Sequence, residues 1–427
     1  MNVLWTSVAG RDAMLAALAG SGELVAPVRI GDEVVFERID DVRRVCHGYV
    51  NALAPPKHLL LPSPEPLLAY RVAAGRPAIE ANGRPEPPVT VIYGIRSCDV
   101  AGVAYLARFL EGGMFGGAVG ADDAFAARRA RTTMISVVCT DPGPACMCVC
   151  CEAGPALASG FDWQLTRLRH GWLVESGSER GEALGERFAP HLRAALPSER
   201  EERDRRVAAC VRRFHQESPR RVQTMSAVRQ LSAGRPDDAF WDEVGGRCFE
   251  CGSCAFVCPT CFCFNVADLP LGCAAPPPAG EFPPAAPGGP GAAPVDGAWE
   301  RVRVRDACTL AGHGRLAGGS YPRETCGDRC RIRFFHKLSW QFHQRMGRLG
   351  CTGCGRCIEA CPGDIGIDRV SARLLLAMTE RRGRAAARAA GAVPLPRFRP
   401  VAMQAAAPAD VGSDGASGEA GKEPTMG

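Results

Sequence analysis

Two short segments of this 427-residue chain share one demanding spacing. Cys248, Cys251, Cys254 and Cys258 are followed by Pro259, and Cys351, Cys354, Cys357 and Cys361 by Pro362, so the pattern C-x2-C-x2-C-x3-C-P occurs twice. Thiolates at i, i+3 and i+6 of a loop can occupy three corners of a cubane, and the proline suits the first turn of a helix, where no amide donor is needed. Where two such runs occur together, the fourth cysteine of each reaches the neighbouring cluster. That rule predicts one [4Fe–4S] cluster on Cys248, Cys251, Cys254 and Cys361, and a second on Cys351, Cys354, Cys357 and Cys258. Structural zinc is the competing reading of paired C-x2-C motifs. Four-coordinate zinc, however, has no use for the third evenly spaced cysteine or the repeated C-P ending.

Cysteine usage elsewhere supports inorganic chemistry over disulfides. Of the 22 cysteines, 15 fall within windows 139–151, 248–263 and 351–361. A secreted disulfide scaffold is short and uses cysteine along its whole length, whereas this chain is long enough for two or three domains. At 46% hydrophobic and 23% charged it can bury a sizeable core. The net charge of +5 raises the question of nucleic acid, yet only Lys57, Lys337 and Lys422 among the 51 basic residues are lysine, a bias that runs through the whole chain. The basic stretch Arg203 to Arg213 follows Glu201 and Glu202, contains Asp204 and lacks aromatics for stacking, so a solvated helix face is expected and no nucleic-acid site. No run of 18 apolar residues appears, so no membrane span is expected. Ala13 to Gly20 is too short, and lacks the basic start, for a signal peptide. A cytoplasmic location is therefore expected, which suits reduced thiolates.

The predicted fold class is α+β, an N-terminal mixed α/β domain followed by a dicluster ferredoxin-like domain with a helical insert. The expected boundaries are 1–180 for the first domain, 181–244 for a helical connector interrupted at Pro219, and 245–375 for the dicluster domain. Within the last, 274–297 reads as a Pro/Gly-rich linker, and 376–427 as an Arg-rich helix and a disordered tail. Hairpins are predicted at Glu23 to Ile39, around Gly31-Asp32, and at Phe161 to Gly177. Between them, apolar runs at Val89 to Tyr93 and Met134 to Val138 flank a helical stretch from Val100 to Glu111, which implies a parallel strand pair. The glycine-rich stretch 112–120 reads as a flexible connection.

This βαβ unit places Cys98, at the start of its helix, and Cys139, at the end of its second strand, on the carboxyl edge of the sheet, where open α/β folds bind ligands. With Cys146 and Cys148, in CTDPGPACMCVCC, they form a candidate third cluster site. Cys150 and Cys151 stand as substitutes or bystanders, and a buried or redox-active thiol set is the competing reading. Cys261 and Cys263 are expected to line the nearer cluster. Cys46, Cys210 and Cys273 read as ordinary thiols, and Cys308, Cys326 and Cys330 as a further partial site or, favoured by their scatter, as ordinary thiols too. GHGRLAG, from Gly312, superficially matches a dinucleotide loop but follows no clear strand. His313, His336 and His343 read as structural or surface residues. No Ser/His/Asp set or carboxylate pair points to hydrolysis or acyl transfer.

The ordered motifs GIRSCD (Gly94 to Asp99), CTDPGPACMC (Cys139 to Cys148), CGSCAFVCPTCFCF (Cys251 to Phe264), DACTLAGHGRLAGG (Asp306 to Gly319), RIRFFHK (Arg331 to Lys337) and CTGCGRCIEACP (Cys351 to Pro362) resemble a family of iron–sulfur subunits. It comprises the beta subunit of cytoplasmic [NiFe] hydrogenases of the sulfhydrogenase type and the electron-transfer subunit of anaerobic sulfite reductase. The resemblance covers roughly Leu24 to Arg373. It implies an electron-transfer subunit without its own substrate chemistry, placed between a flavin-containing NAD(P)H-oxidoreductase subunit and a catalytic subunit. That catalytic partner is a [NiFe] hydrogenase or, in the alternative, a sirohaem sulfite reductase. The family's recurring cysteines map onto Cys98, Cys139, Cys146 and Cys148. Met147 departs from the pattern, standing where relatives tend to carry an aromatic. Two readings of another class remain: direct reduction of a sulfur compound at the first-half thiols, and a zinc-stabilised scaffold.

Overall fold

Short β-branched and aromatic runs build the larger of two sheets. The computed structural model describes residues 2–80, 86–112, 120–217, 220–234, 236–271, 296–316 and 320–389. Eight strands, β1 (Val3–Thr6), β2 (Leu24–Ile30), β3 (Glu33–Arg38), β6 (Thr90–Ile95), β7 (Thr132–Val137), β8 (Trp163–Leu168), β9 (Gly171–Ser176) and β10 (Arg193–Ala194), lie in the order β10-β1-β9-β8-β7-β6-β2-β3. The central pairs β2/β6, β6/β7 and β7/β8 are parallel, and the flanking pairs antiparallel. Both predicted hairpins form, as β2/β3 and β8/β9. The βαβ unit forms too, although its helix begins at Ser97, three residues earlier than expected.

Every residue of β6 is buried, because both of its faces are covered. Val91 and Tyr93 pack with Leu15 and Leu18 of helix Val8–Gly20, while Ile92 and Ile95 pack with Val100, Val103 and Leu106 of helix Ser97–Leu110. Full burial of such side chains contributes about 1.5–3 kcal/mol each. The alternation breaks once, at Gly94, whose φ of +83° accompanies a register shift between Tyr93 and Ile95. This bulge re-aims the chain where it leaves the sheet toward Cys98.

A second, four-stranded antiparallel sheet went unrecognised in the sequence. Its strands β4 (Glu65–Ala73), β5 (Arg76–Glu80), β11 (Phe264–Pro270) and β12 (Gly297–Arg305) run in the order β11-β12-β4-β5. A strand from the first half thus pairs directly with one that follows the first cysteine run. Arg303 of β12 donates from Nε to Glu65 (2.9 Å), and the pair is buried. GHGRLAG therefore does follow a strand, β12, but no βαβ unit surrounds it.

Helices Arg220–Ser232, Asp238–Gly245, Cys326–Leu338 and Ile367–Ala389 supply a third core, in which Trp241, Val244, Phe334, Leu338 and Val370 pack beside Cys151, Cys330 and Cys351. Residues Met1–Met378 form one compact unit and Thr379–Gly427 another. The basic stretch at Arg203 lies on helix Pro197–Glu217 and meets carboxylates. Arg203 pairs with Glu175 (2.8 Å), and Arg206 with Glu202 (2.8 Å). No helix among the described residues is long and apolar enough to cross a membrane. Most of the glycine-rich connection, nearly all of the 274–297 linker, Cys273 and the tail beyond 389 lie outside the described residues.

Candidate iron–sulfur site

The first cysteine run and the end of the second line one cavity. Cys248, Cys251, Cys254 and Cys361 all face it, with Cys330, Arg333 and Phe334 completing much of its wall. Gly252, at φ +71°, turns the loop between the second and third thiols, and a Cβ there would stand 2.8 Å from the Phe256 ring. The Glu250 amide donates to Cys248 Sγ (3.4 Å), the kind of N–H···S bond that tunes a cluster's thiolate ligands. Two buried polar groups at this cavity have atoms without partners among the described residues: Oγ1 of Thr309 and Nη1 of Arg333. Burial opposes charge on Arg333, but the thiols of Cys254 and Cys357 hold its pKa well above the ordinary arginine value. A fixed cation among buried thiols from both runs suits an occupant of net negative charge, as a thiolate-ligated cubane is.

Cys351, Cys354 and Cys357 sit in the second loop, and Cys258 lies close enough to act electrostatically on all three. Burial pushes the Cys354 thiol up to about 12 and raises Cys357 further, so thiolates there need a positive centre to form. The Gly353 amide donates to Cys351 Sγ at 3.3 Å. Around Cys258, the buried Lys57 Nζ donates to the carbonyls of Ala255 (3.3 Å), Cys258 (2.5 Å) and Cys261 (2.9 Å). Lys337 Nζ donates to Thr260 Oγ1 (2.7 Å), which itself meets Cys258 Sγ at 3.2 Å. Two lysines therefore fix the loop that carries Cys258.

The second loop is locked to the N-terminal half. Arg356 forms a bidentate pair with Asp99 (2.5 and 2.8 Å) and donates from Nε to the Ala52 carbonyl (2.7 Å), all fully buried. The Met147 amide donates to the Gly353 carbonyl (2.7 Å), so the two cysteine-bearing loops touch backbone to backbone. Gly353 has φ +64°, and a Cβ there would lie 2.4 Å from the Met147 carbonyl. Gly353→Ala is expected to cost on the order of 2–4 kcal/mol, since backbone must move. Gly347→Ala, at φ +73° with open space around it, is expected to cost about 1 kcal/mol. Urea midpoints of the two variants check this ranking, and equal midpoints would contradict it.

The first-half thiols gather at the carboxyl edge of the larger sheet. Asn51 joins them: its Nδ2 reaches Cys146 Sγ (3.9 Å) and donates to the Cys354 carbonyl (2.6 Å), while Cys98 Sγ reaches its Oδ1 (4.0 Å). Cys98, Cys148 and Cys354 share one buried cluster, and Cys139 and Cys146 both act on Cys148. Cys139 itself lies beside Cys210 of helix Pro197–Glu217, which lowers its thiol pKa to about 6.

Several thiols outside the proposed ligand sets stand beside proposed ligands or one another. Cys326 and Cys330 place their sulfurs within 4.8 Å of each other and of Cys248. Cys151 lies beside Cys351, Cys261 beside Cys258, and Cys308 beside Cys263, each acting on its neighbour's thiol. Their i, i+4 spacing puts Cys326 and Cys330 on one helix face, a signal available in the sequence, as was the nearness of Cys261 and Cys263 to the first run. No disulfide forms among the described cysteines.

Comparison with known proteins finds iron–sulfur relatives. A family model described as a 4Fe-4S dicluster domain matches residues 293–365, a span that contains the second run. The Sulfhydrogenase 2 subunit beta of Pyrococcus furiosus is 26% identical over 351 residues, covering 81% of this chain and 90% of that one. The chain is an iron–sulfur protein, similar along most of its length to a sulfhydrogenase beta subunit, and [4Fe–4S] clusters are its cofactors.

Proposed function

We propose that this chain is the electron-relay subunit of a sulfhydrogenase-like complex, passing electrons between a flavin-containing NAD(P)H-oxidoreductase subunit and a [NiFe] hydrogenase subunit. The observation that carries the reading is the cavity faced by Cys248, Cys251, Cys254 and Cys361, three thiols from one run and one from the other. On this reading those four hold one cluster, Cys351, Cys354, Cys357 and Cys258 the second, and Cys98, Cys139, Cys146 and Cys148 a third. Each bound [4Fe–4S] cluster supplies a one-electron carrier. The protein's part is to set its potential: Arg333 and Lys337 place buried positive charge beside the runs, which favours the more negative reduced state. The functional segments follow the proposed boundaries, 1–180 for the third site, 181–244 as connector and 245–375 for the dicluster.

The relay reading is tested on the complex purified anaerobically. Addition of NAD(P)H is expected to elicit reduced-cluster EPR signals from this chain, and a [NiFe] subunit is expected to copurify. A sirohaem subunit in its place would move the assignment to sulfite reduction. Turnover of sulfite or polysulfide by the isolated chain would overturn the relay role.

A further inference from the structure

Beyond the first cysteine run the hairpin of β11 and β12 brings together a group of side chains that the cluster sites leave unused. The strands pair with Phe264 opposite Arg305, and one step outward the Asp306 amide donates to the Cys263 carbonyl (3.0 Å). That register sets Cys263, just before β11, beside the segment Asp306 to Cys308, just after β12. Cys263 lies close enough to both Cys308 and His313 for each to act on its thiol, and all three line one cavity. His313 Nδ1 meets Asp306 Oδ2 at 3.2 Å, and Asp306 is itself buried and fixed by the Ala307 amide (2.7 Å) and Asn265 (3.5 Å). A carboxylate orients an imidazole, the imidazole meets a thiol, and a second thiol lies in reach of the first.

This order of groups is the arrangement by which an adjacent base activates a nucleophilic cysteine. Cys308 and His313 draw the Cys263 thiol down to about 4 against the effect of burial, while Asp306 and Cys263 hold His313 near 9 despite its own burial. The pair is then thiolate and imidazolium at neutral pH. Both cysteines and His313 face a cavity of about 250 Å³. Its wall carries the stacked rings of Phe109 and Phe262 (centroids 3.8 Å apart) and the basic residues Arg323, Arg333 and Lys337. Aromatic faces and cations together suit a small ligand that is flat or apolar in part and carries carboxylates.

We propose that Cys263 and Cys308 form a redox-active dithiol whose substrate is a low-molecular-weight disulfide bearing carboxylate groups. The Cys263 thiolate attacks one sulfur of the substrate, forming a mixed disulfide and releasing the first substrate thiolate. Cys308, giving up its proton, then attacks Cys263 Sγ, releasing the second substrate thiolate and leaving a Cys263–Cys308 disulfide. Two protein thiols are oxidised and one substrate disulfide is reduced. Two electrons and one proton restore the Cys263 thiolate and the Cys308 thiol, and this return half rests on the electron-relay reading. Cys261 lies between the pair and Cys258 along the chain and stands beside Cys258, so the dithiol adjoins the cluster loops.

The test uses the full iron-loaded chain, kept anaerobic, with dithiobis(nitrobenzoate) as probe, an aromatic disulfide with two carboxylates. One equivalent is expected to release two equivalents of thionitrobenzoate, and peptide mapping to find Cys263 linked to Cys308. Cys308→Ser is expected to release one equivalent and to retain the probe on Cys263, and Cys263→Ser to leave Cys308 unlinked. His313→Gln is expected to slow the first release about tenfold at neutral pH while the link still forms. Release spread over other cysteines, with Cys263 and Cys308 unlinked, would overturn the proposal. So would stoichiometric zinc in the wild type that is lost in Cys263→Ser, because the thiols would then be metal ligands. Cluster EPR signals are expected to be unchanged in all three variants. Missing clusters in the wild type would count against the relay reading while leaving the thiol exchange to stand or fall alone.

Discussion

Cys357→Ser is expected to lose one cluster and to break electron flow between the partner subunits. The residue sits among Cys351, Cys354 and Cys258, and burial holds its thiol far above the ordinary range, so only a metal centre makes a thiolate there favourable. A serine hydroxyl is a poorer ligand for iron and leaves an unfilled corner in a loop shaped around four sulfurs. Iron content should fall by about four atoms per chain, the number in one cubane. Cys254→Ser should do the same at the other site. Cys46→Ser, whose thiol hydrogen-bonds the Gly48 carbonyl and Arg29 and packs against apolar core, should leave the iron count unchanged. Full iron content and undiminished NAD(P)H-linked activity in Cys357→Ser would falsify the ligand assignment.

Arg356→Met should destabilise the protein more than any substitution of a surface charge. The guanidinium ties the second cysteine loop to Asp99, at the start of the helix that carries Cys98, and both partners are almost wholly excluded from water. Removing it leaves a buried carboxylate uncompensated and the Ala52 carbonyl without its donor, a loss of about 3–5 kcal/mol. Adding Asp99→Asn should recover at least about 1 kcal/mol of that loss, because the stranded charge is gone. Urea denaturation of the two single variants and the double variant measures the coupling. Strictly additive effects would mean that the pair does not hold the halves together.

Much of the site could be read from the sequence because its grammar is local. The spacing of thiols within each run, the strand–helix–strand pattern from Val89 to Val138 and the turn at Gly31 each depend on residues within one or two elements. So does the placing of Cys98 and Cys139 on one sheet edge, which follows from the parallel register of β6 and β7. What escaped is non-local. Strand β4 carries Glu65, Pro66 and Arg71 and shows no clean alternation, since its burial is set by β12, more than two hundred residues away. Arg356 reads as one arginine among many until the fold sets it against Asp99, and Asn51 has no motif at all, yet it touches three cysteine-bearing segments. Cys210 looked ordinary because helix Pro197–Glu217 reads as polar and solvated; its one deeply buried cysteine meets Cys139.

The most direct test of the account is the iron and acid-labile sulfide content of anaerobically purified chain, read beside its EPR spectrum after reduction. With the two runs and the Cys98 group all filled, about twelve iron and twelve sulfide per chain are expected, at four of each per cubane. About eight of each would remove the third site and leave the dicluster. A colourless protein holding zinc and no sulfide would contradict the relay altogether.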